Sequence, residues 1–258
     1  MRSIDLNADV GESYGAWRMG QDAELIPLVT SANVACGFHA GDPGTMQATV
    51  RLALAHGVAI GAHPSLPDLA GFGRRAMQVS PNEAYELVLY QVGALSGFVR
   101  AAGATLRHVK PHGALYNMAA RERALADAIA EGVRAFDPGL ILVGLSGSAL
   151  VAAGRALGLH CADEVFADRR YEDDGTLTPR TRDDALIHDA GEARGQVLAM
   201  MREGAVTSRG GKRVPLRADT VCLHGDAPGA VAFARTLRAA LAEAGFELRR
   251  PARGTVPA

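Results

Sequence analysis

The sequence predicts an α/β protein, a closed barrel of parallel strands ringed by helices, and three observations predict it. Short apolar strands alternate with helical stretches along all 258 residues, with no linker-like change of composition. The first three strands end near residues 8, 35 and 62, a spacing of about 27 residues that suits successive βα units. Hydrophobic residues make up 48% and aromatics only 5%, which predicts an Ala/Val/Leu core of the kind formed where helices pack on a parallel sheet. Seven strands can be counted. The expected architecture is therefore one seven-stranded, TIM-like (β/α) barrel domain over residues 1–258, with a tail that frays after about residue 249. An open doubly wound sheet is the alternative.

The elements follow in order. Residues 4–12 alternate strictly, with Ile4, Leu6, Ala8 and Val10 apolar and Asp5, Asn7 and Asp9 polar. A loop with a short helical piece covers 14–28 and carries the lone tryptophan, Trp17. A strand over 32–36 stops at Gly37, presents His39 and leads into a helix. Gly41 permits the turn, Asp42 suits the N-cap, and Pro43 suits the first helical turn. That helix runs to about residue 56 and closes on Gly57. A third strand over 58–62 ends in His63-Pro64 and a turn-rich loop follows to residue 75. Ser80-Pro81-Asn82-Glu83 is a capping box that opens a helix to about residue 102.

The fourth strand covers 106–110 and meets Pro111-His112-Gly113, where the proline ends the ladder. A helix over 121–136, an apolar fifth strand over 140–145, a helix over 148–157 and a sixth strand over 161–167 come next. The charged loop at 168–182 is expected on the surface, as a candidate lid. A helix over 183–202, a glycine- and arginine-containing connector over 204–218 read as a hairpin, a seventh strand ending in His224-Gly225-Asp226, and a helix over 228–244 complete the chain.

Composition narrows the function classes. Twenty-seven Lys+Arg against 28 Asp+Glu give a net charge of −1, and no basic stripe is present, so no nucleic-acid partner is expected. The 3 cysteines, Cys36, Cys161 and Cys222, lack CxxC spacing, which argues against a disulfide framework or a zinc–cysteine site and fits a reducing compartment. A strand starting at Ser3-Ile4 leaves no room for a signal peptide, and no apolar run reaches ~18 residues. A cytoplasmic protein without a membrane span is expected.

Alternate residues of a barrel strand point inward. If Ile4, Leu6, Val34, Cys36, Val221 and Leu223 face the helices, the inward set becomes Asp5, Asn7, Asp9, Asn33, His39, His63, His108, Lys110, His112, His224 and Asp226. Barrel interiors are ordinarily filled by Val, Ile and Leu. Carboxylates, imidazoles and a lysine in their place are costly unless they satisfy one another or a ligand. Their convergence predicts a catalytic centre at the C-terminal ends of the strands. Plainer roles stay open for single members: Lys110 as a structural bridge to Asp5 or Asp9, His108 as hydrogen-bonded core, Glu12 as a backbone partner in its glycine turn. His56, His160 and His188 are read as structural or surface groups.

Three chemistries suit such a cluster. Carboxylates and histidines can hold a divalent metal that activates water, although no HExxH or comparably specific spacing occurs. Asp9 or a histidine can act as general base on a water while Lys110 stabilises an oxyanion. Arg169 and Arg180, with Lys110, can clamp a carboxylate or phosphate. No GxSxG elbow is present, and Gly210-Gly211-Lys212 lacks the upstream glycine and the following Ser/Thr of a phosphate loop.

Six stretches in order complete the reading: Asp5-Leu6-Asn7-Ala8-Asp9-Val10-Gly11-Glu12, residues 33–43, Gly61-Ala62-His63-Pro64, Val109-Lys110-Pro111-His112-Gly113-Ala114-Leu115-Tyr116, Ala167-Asp168-Arg169 and His224-Gly225-Asp226. Together they resemble the LamB/YcsF family, over nearly the whole chain. The resemblance implies a barrel of the glycoside hydrolase/deacetylase type. It also implies the A subunit of a bacterial 5-oxoprolinase, which works with subunits B and C. The implied reaction opens the lactam of 5-oxoproline (pyroglutamate) to L-glutamate, with ATP as co-substrate. On that reading Asp9 with His39 or His63 handles the water and its protons, and Lys110 and His112 stabilise oxyanion or phosphoryl oxygens. Arg169 holds the substrate carboxylate, and Asn7, Asn33, Asp42, His224 and Asp226 complete the substrate-binding set. The alternatives are a metal-dependent deacetylase or amidohydrolase that needs no ATP, and a non-catalytic subunit that binds a small molecule.

Overall fold

The computed structural model describes residues 2–224 and 229–252. The alternating N-terminal stretch forms β1 (Arg2–Val10), followed by the short α1 (Asp22–Leu25) and a 3-10 turn at Ile26–Leu28. Next come β2 (Ser31–Ala35), α2 (Pro43–Ala55), β3 (Ala59–His63), α3 (Pro81–Ala101), β4 (His108–Val109), α4 (Gly113–Ala119) and α5 (Arg123–Phe136). The chain continues through β5 (Ile141–Leu145), α6 (Ala149–Ala156), β6 (His160–Phe166), α7 (Ala190–Glu203), β7 (Ala205–Thr207), β8 (Arg213–Pro215), β9 (Thr220–His224), α8 (Ala230–Glu243) and β10 (Phe246–Leu248).

Strands β1 to β6 pair parallel in sequence order, β6 pairs with β9, and β9 returns to β1, closing the barrel that the βα spacing predicts. Register places Asp9 beside Asn33 and His224, Asn33 beside Gly61, and Gly61 beside His108, so the polar positions of separate strands share one level of the barrel. The outward faces of the strands carry Leu6, Val34, Ala62, Val109, Leu142, Val165 and Val221, all buried under the helices. Each such Val or Leu contributes roughly 1.5–3 kcal/mol on burial. Helix α3 shows how the sequence serves this shell. Ser80 and Glu83 form the predicted capping box, and the stripe Ala84, Val88, Gln91, Val92, Leu95 and Val99 is buried at helical spacing. Gln91 is the polar exception. It accepts from Ser65 N at 2.9 Å and donates to Ser65 O at 2.8 Å, which pins the segment just beyond His63.

Some elements depart from the sequence reading. The connector at 204–218 is indeed an antiparallel hairpin of β7 and β8. Strand β10, which adds to the lower end of β1 at Arg2–Ile4, and the short α4 were not anticipated. Helix α7 starts at Ala190 and not near 183, because Asp189 caps it by accepting from Glu192 N. The preceding segment instead packs back on the loop after β6, with Ile187 N donating to Asp168 O. That loop is not the solvated surface expected from its charge: Arg169, Tyr171, Leu177 and Thr178 are buried. The expected start of the last helix at Pro228 lies outside the described residues.

Candidate active site at the barrel mouth

Three polar layers rise from β1. At the floor, Asp5 accepts from Thr30 Oγ1 at 2.6 Å, Ser31 Oγ at 2.7 Å and Thr220 Oγ1 at 2.6 Å. Burial raises its pKa, outweighing the hydroxyls that favour the anion. In the middle layer Asn7 Nδ2 donates to Glu164 Oε1 (3.0 Å) and Thr220 Oγ1 (2.7 Å), and Asn33 Nδ2 donates to Asn7 Oδ1 (2.7 Å) and Asp9 Oδ1 (2.8 Å). His108 Nε2 donates to Asn33 Oδ1 at 2.7 Å. It fits there because Gly61 has no side chain: a Cβ at 61 would fall 2.0 Å from His108 Nε2. Burial and the nearby Lys110 lower the His108 pKa to about 3, so this imidazole is neutral and belongs to the scaffold.

At the mouth, Lys110 Nζ lies 2.8 Å from Asp9 Oδ1, 3.0 Å from Glu164 Oε1 and 3.1 Å from Cys222 Sγ. It donates to Asp9 Oδ1, to Cys222 Sγ and, at 3.4 Å, to Asn7 Oδ1, and it pairs with the Glu164 carboxylate by charge. Burial works against the ammonium, but Asp9, Cys222 and Glu164 outweigh it and hold the lysine pKa above its ordinary value. Asp9 responds in kind. Burial alone would raise its pKa, yet His63 and Lys110 bring it well below the usual carboxylate range. The Glu164 carboxylate also accepts from Tyr116 Oη at 2.7 Å.

The histidines meet beside Asp9. His63 Nδ1 donates to the Lys110 carbonyl at 2.7 Å, and its Nε2 lies 3.2 Å from Asp9 Oδ2. His112 Nε2 donates to the Phe72 carbonyl at 2.8 Å, and its Nδ1 lies 3.0 Å from His63 Nε2. Phe72 reaches that position with φ of 54°, in the left-handed region where a non-glycine residue is strained. His39 stacks on His112 with ring centroids 3.8 Å apart, and its Nε2 lies 3.5 Å from Glu12 Oε1. Gly11, at φ 70°, turns the chain so that Glu12 reaches this cluster; a Cβ there would meet Thr49 and Val34 at 3.1–3.3 Å.

A cavity of about 530 Å³ opens over these residues. Asp9, Glu12, His63, Lys110, His112, Tyr116, Phe166, Arg169 and His224 line it, and Thr178 and Arg180 of the loop after β6 form its far wall. Such a volume is usual for a small-molecule site. His224 Nδ1 lies 2.8 Å from Asp168 Oδ2, and its ring stacks on Phe166. Arg169 Nη2 donates to the Thr178 carbonyl at 2.6 Å, while its buried Nε has no hydrogen-bond partner. Burial and the adjacent Arg180 lower the Arg169 pKa to about 10, a setting that favours an anion beside it.

Of the residues picked out from the sequence, Asp9, His63, Lys110, His112, Arg169 and His224 line the cavity, with His39 immediately behind His112. Asn7 and Asn33 lie beneath, where they hold Asp9 and Lys110 in place and do not reach the cavity. Asp42 does not join the site. Its carboxylate caps α2, accepting from Gly44 N, Thr45 N and Thr45 Oγ1, and also accepts from Gly15 N. These bonds lower its pKa to about 2. Asp226 lies outside the described residues. Glu164 and Tyr116 were not picked out. The alternation Ala162, Glu164, Phe166 along β6 was the available signal for the glutamate.

The model of the LamB/YcsF family matches residues 4–255. The chain belongs to the LamB/YcsF family. A relative from Methylococcus capsulatus, named as the A subunit of 5-oxoprolinase, is 64% identical over 245 residues, which are 95% of this chain and 94% of that one. The crystal structure of a lactam utilization protein from Thermus thermophilus is 53% identical and superposes with a TM-score of 0.90, over 96% of this chain and 99% of that one. A family 4 carbohydrate esterase from Streptomyces lividans, 11% identical, has a TM-score of 0.51 over 100% of this chain and 98% of its own, a likeness of fold alone.

Proposed function

We propose that this LamB/YcsF chain is the lactam-opening component of a 5-oxoprolinase, converting 5-oxoproline to L-glutamate in the cavity at the barrel mouth. The observation that carries this reading is the end-to-end likeness to a chain of that name, 64% identical over 95% of the sequence. The cavity supplies fitting chemistry: an ionised carboxylate and an imidazole on one side, an arginine able to take a carboxylate on the other.

A five-membered lactam is a stable amide. Transfer of a phosphoryl group from ATP to its carbonyl oxygen activates the carbonyl carbon. Water adds there, the C–N bond breaks as the ring nitrogen leaves as the protonated amine, and a second water hydrolyses the resulting acyl phosphate. ATP is thus the co-substrate and leaves as ADP and phosphate, in a reaction shared with subunits B and C. In this chain Asp9 accepts the proton of the attacking water, with His63 Nε2 beside it, 3.2 Å from Asp9 Oδ2. We give Lys110 and His112 supporting roles here in place of oxyanion stabilisation. The lysine donates to Asp9, Asn7 and Cys222 and is ion-paired with Glu164, and His112 directs Nε2–H at the Phe72 carbonyl. Lys110 keeps Asp9 ionised. Arg169, with Arg180 beside it, holds the substrate carboxylate or the phosphoryl oxygens.

The test is glutamate formation and ADP release from 5-oxoproline, measured with this chain alone and with subunits B and C added. Turnover is expected only from the complete set, and turnover that persists when this chain is omitted would overturn the reading.

A further inference from the structure

The hydrogen bonds around the three histidines lead to a conflict between lone pairs. A backbone carbonyl only accepts, so His63 carries its proton on Nδ1, facing Lys110 O, and His112 carries its proton on Nε2, facing Phe72 O. In neutral rings the other nitrogens, His63 Nε2 and His112 Nδ1, are then both bare, and they face each other at 3.0 Å. Two lone pairs at that distance repel unless something positive lies between or beside them. Two more groups converge on the same spot. Glu12 Oε1 lies 3.8 Å from His112 Nδ1 and 3.5 Å from His39 Nε2, and neither ring nitrogen of His39 has a hydrogen-bond partner although the residue is 1% exposed.

From this geometry we infer that Glu12, His39, His63 and His112 form a binding site for one divalent transition-metal cation. The four ligand atoms lie within 4.8 Å of one another. Tetrahedral bonds of 2.0–2.1 Å would separate ligand atoms by about 3.3–3.5 Å, and the edges of 3.0, 3.5 and 3.8 Å bracket that value. A proton shared between His63 and His112 would leave both ring nitrogens of His39 without a partner. A cation serves all three rings.

Three imidazoles and a carboxylate favour zinc, cobalt or nickel over calcium and magnesium. The Phe72 and Lys110 carbonyls already fix the tautomers of two of the rings. Asp9, Cys222 and His224 also converge, but Lys110 Nζ lies 2.8 Å from Asp9 and 3.1 Å from Cys222 and already occupies that position with positive charge. Beside Asp9, a bound metal would supply Lewis-acid polarisation or a water of lowered pKa.

The inference deepens the lactam-opening reading, yet its test needs no substrate. Failure of metal binding leaves the lactam reading standing, and failure of lactam opening leaves the metal site standing. The full chain is stripped with chelator, equilibrated with Zn²⁺ or Co²⁺ alone and desalted. The expected results are one ion per chain by mass spectrometry and a cobalt absorption spectrum of low coordination number. His39→Gln and Glu12→Gln should each weaken binding roughly tenfold or more, whereas His160→Gln, at the exposed start of β6, should bind as the parent does. Because substitutions at the mouth can disturb folding, side-chain ¹⁵N spectra of the unsubstituted chain give an independent readout. Zinc should shift one nitrogen in each of three histidines. A chain that retains no ion, with His63 or His112 protonated on both nitrogens in the presence of excess zinc, would overturn the inference.

Discussion

Asp5 and Asp9 sit on the same face of the same strand, and the barrel treats them in opposite ways. Asp5, at the floor, is held by three hydroxyls and no cation, and burial raises its pKa. Asp9, at the mouth, is held by Lys110 and lies beside His63, and its pKa is lowered despite the same burial. Neutral donors tie a carboxylate into a fold. A buried lysine and an open cavity keep one charged and within reach of a ligand. Polar residues in a barrel interior are thus not one class, and the partner type separates scaffold from chemistry.

The largest effect on stability is expected from removing the cation at the mouth. Lys110→Met leaves Asp9 and Glu164 buried without their counter-charge, and urea unfolding should register a loss of about 3–5 kcal/mol. A loss under ~1 kcal/mol would mean that the mouth is as indifferent to charge as the floor. Next, Arg169→Met removes the proposed partner of the substrate carboxylate, a charged hydrogen bond of about 1.5–3 kcal/mol. The KM for 5-oxoproline in the reconstituted enzyme should rise roughly ten- to hundredfold, with kcat less affected.

The comparison also has a pH signature. For Asp9, whose pKa falls on folding, the stabilisation is complete above the ordinary value of 3.8 and is lost as pH drops through the folded value. For Asp5 the sign is reversed: stability falls as pH rises from 3.8 through its raised folded value. Unfolding midpoints measured across acidic pH should lose the first slope in Asp9→Asn and the second in Asp5→Asn. The smallest effect belongs to Asp42→Ala, which removes the cap of α2. It should cost about 1 kcal/mol of stability in thermal unfolding and leave turnover unchanged.

Much of the mouth was legible because it rests on strand alternation. Asp5, Asn7 and Asp9 share a face by the period of two alone, and βα spacing brought His63 and Lys110 to the same end of the barrel. Glu164 was hidden in a strand read only as a whole, though its alternation with Ala162 and Phe166 placed it inward. Asp42 is the opposite case. A residue in an ideal capping position spends its oxygens on backbone, so its neighbourhood to His39 in sequence did not make it a ligand. Other features depend on tertiary contact and leave no local trace. The Phe72 carbonyl that sets the His112 tautomer needs a left-handed backbone at a non-glycine residue. The burial of Arg169 needs the loop to fold back beneath residues 176–181, which charge content alone argued against.

The most direct test of the distinction between floor and mouth compares Asp9→Asn with Asp5→Asn in the same reconstituted enzyme, each chain first confirmed folded by its unfolding transition. Asp9→Asn should lower 5-oxoproline turnover by at least about a hundredfold, while Asp5→Asn loses stability and keeps most of its turnover. Equal activity in the two variants, or a greater loss from Asp5→Asn, would contradict the account.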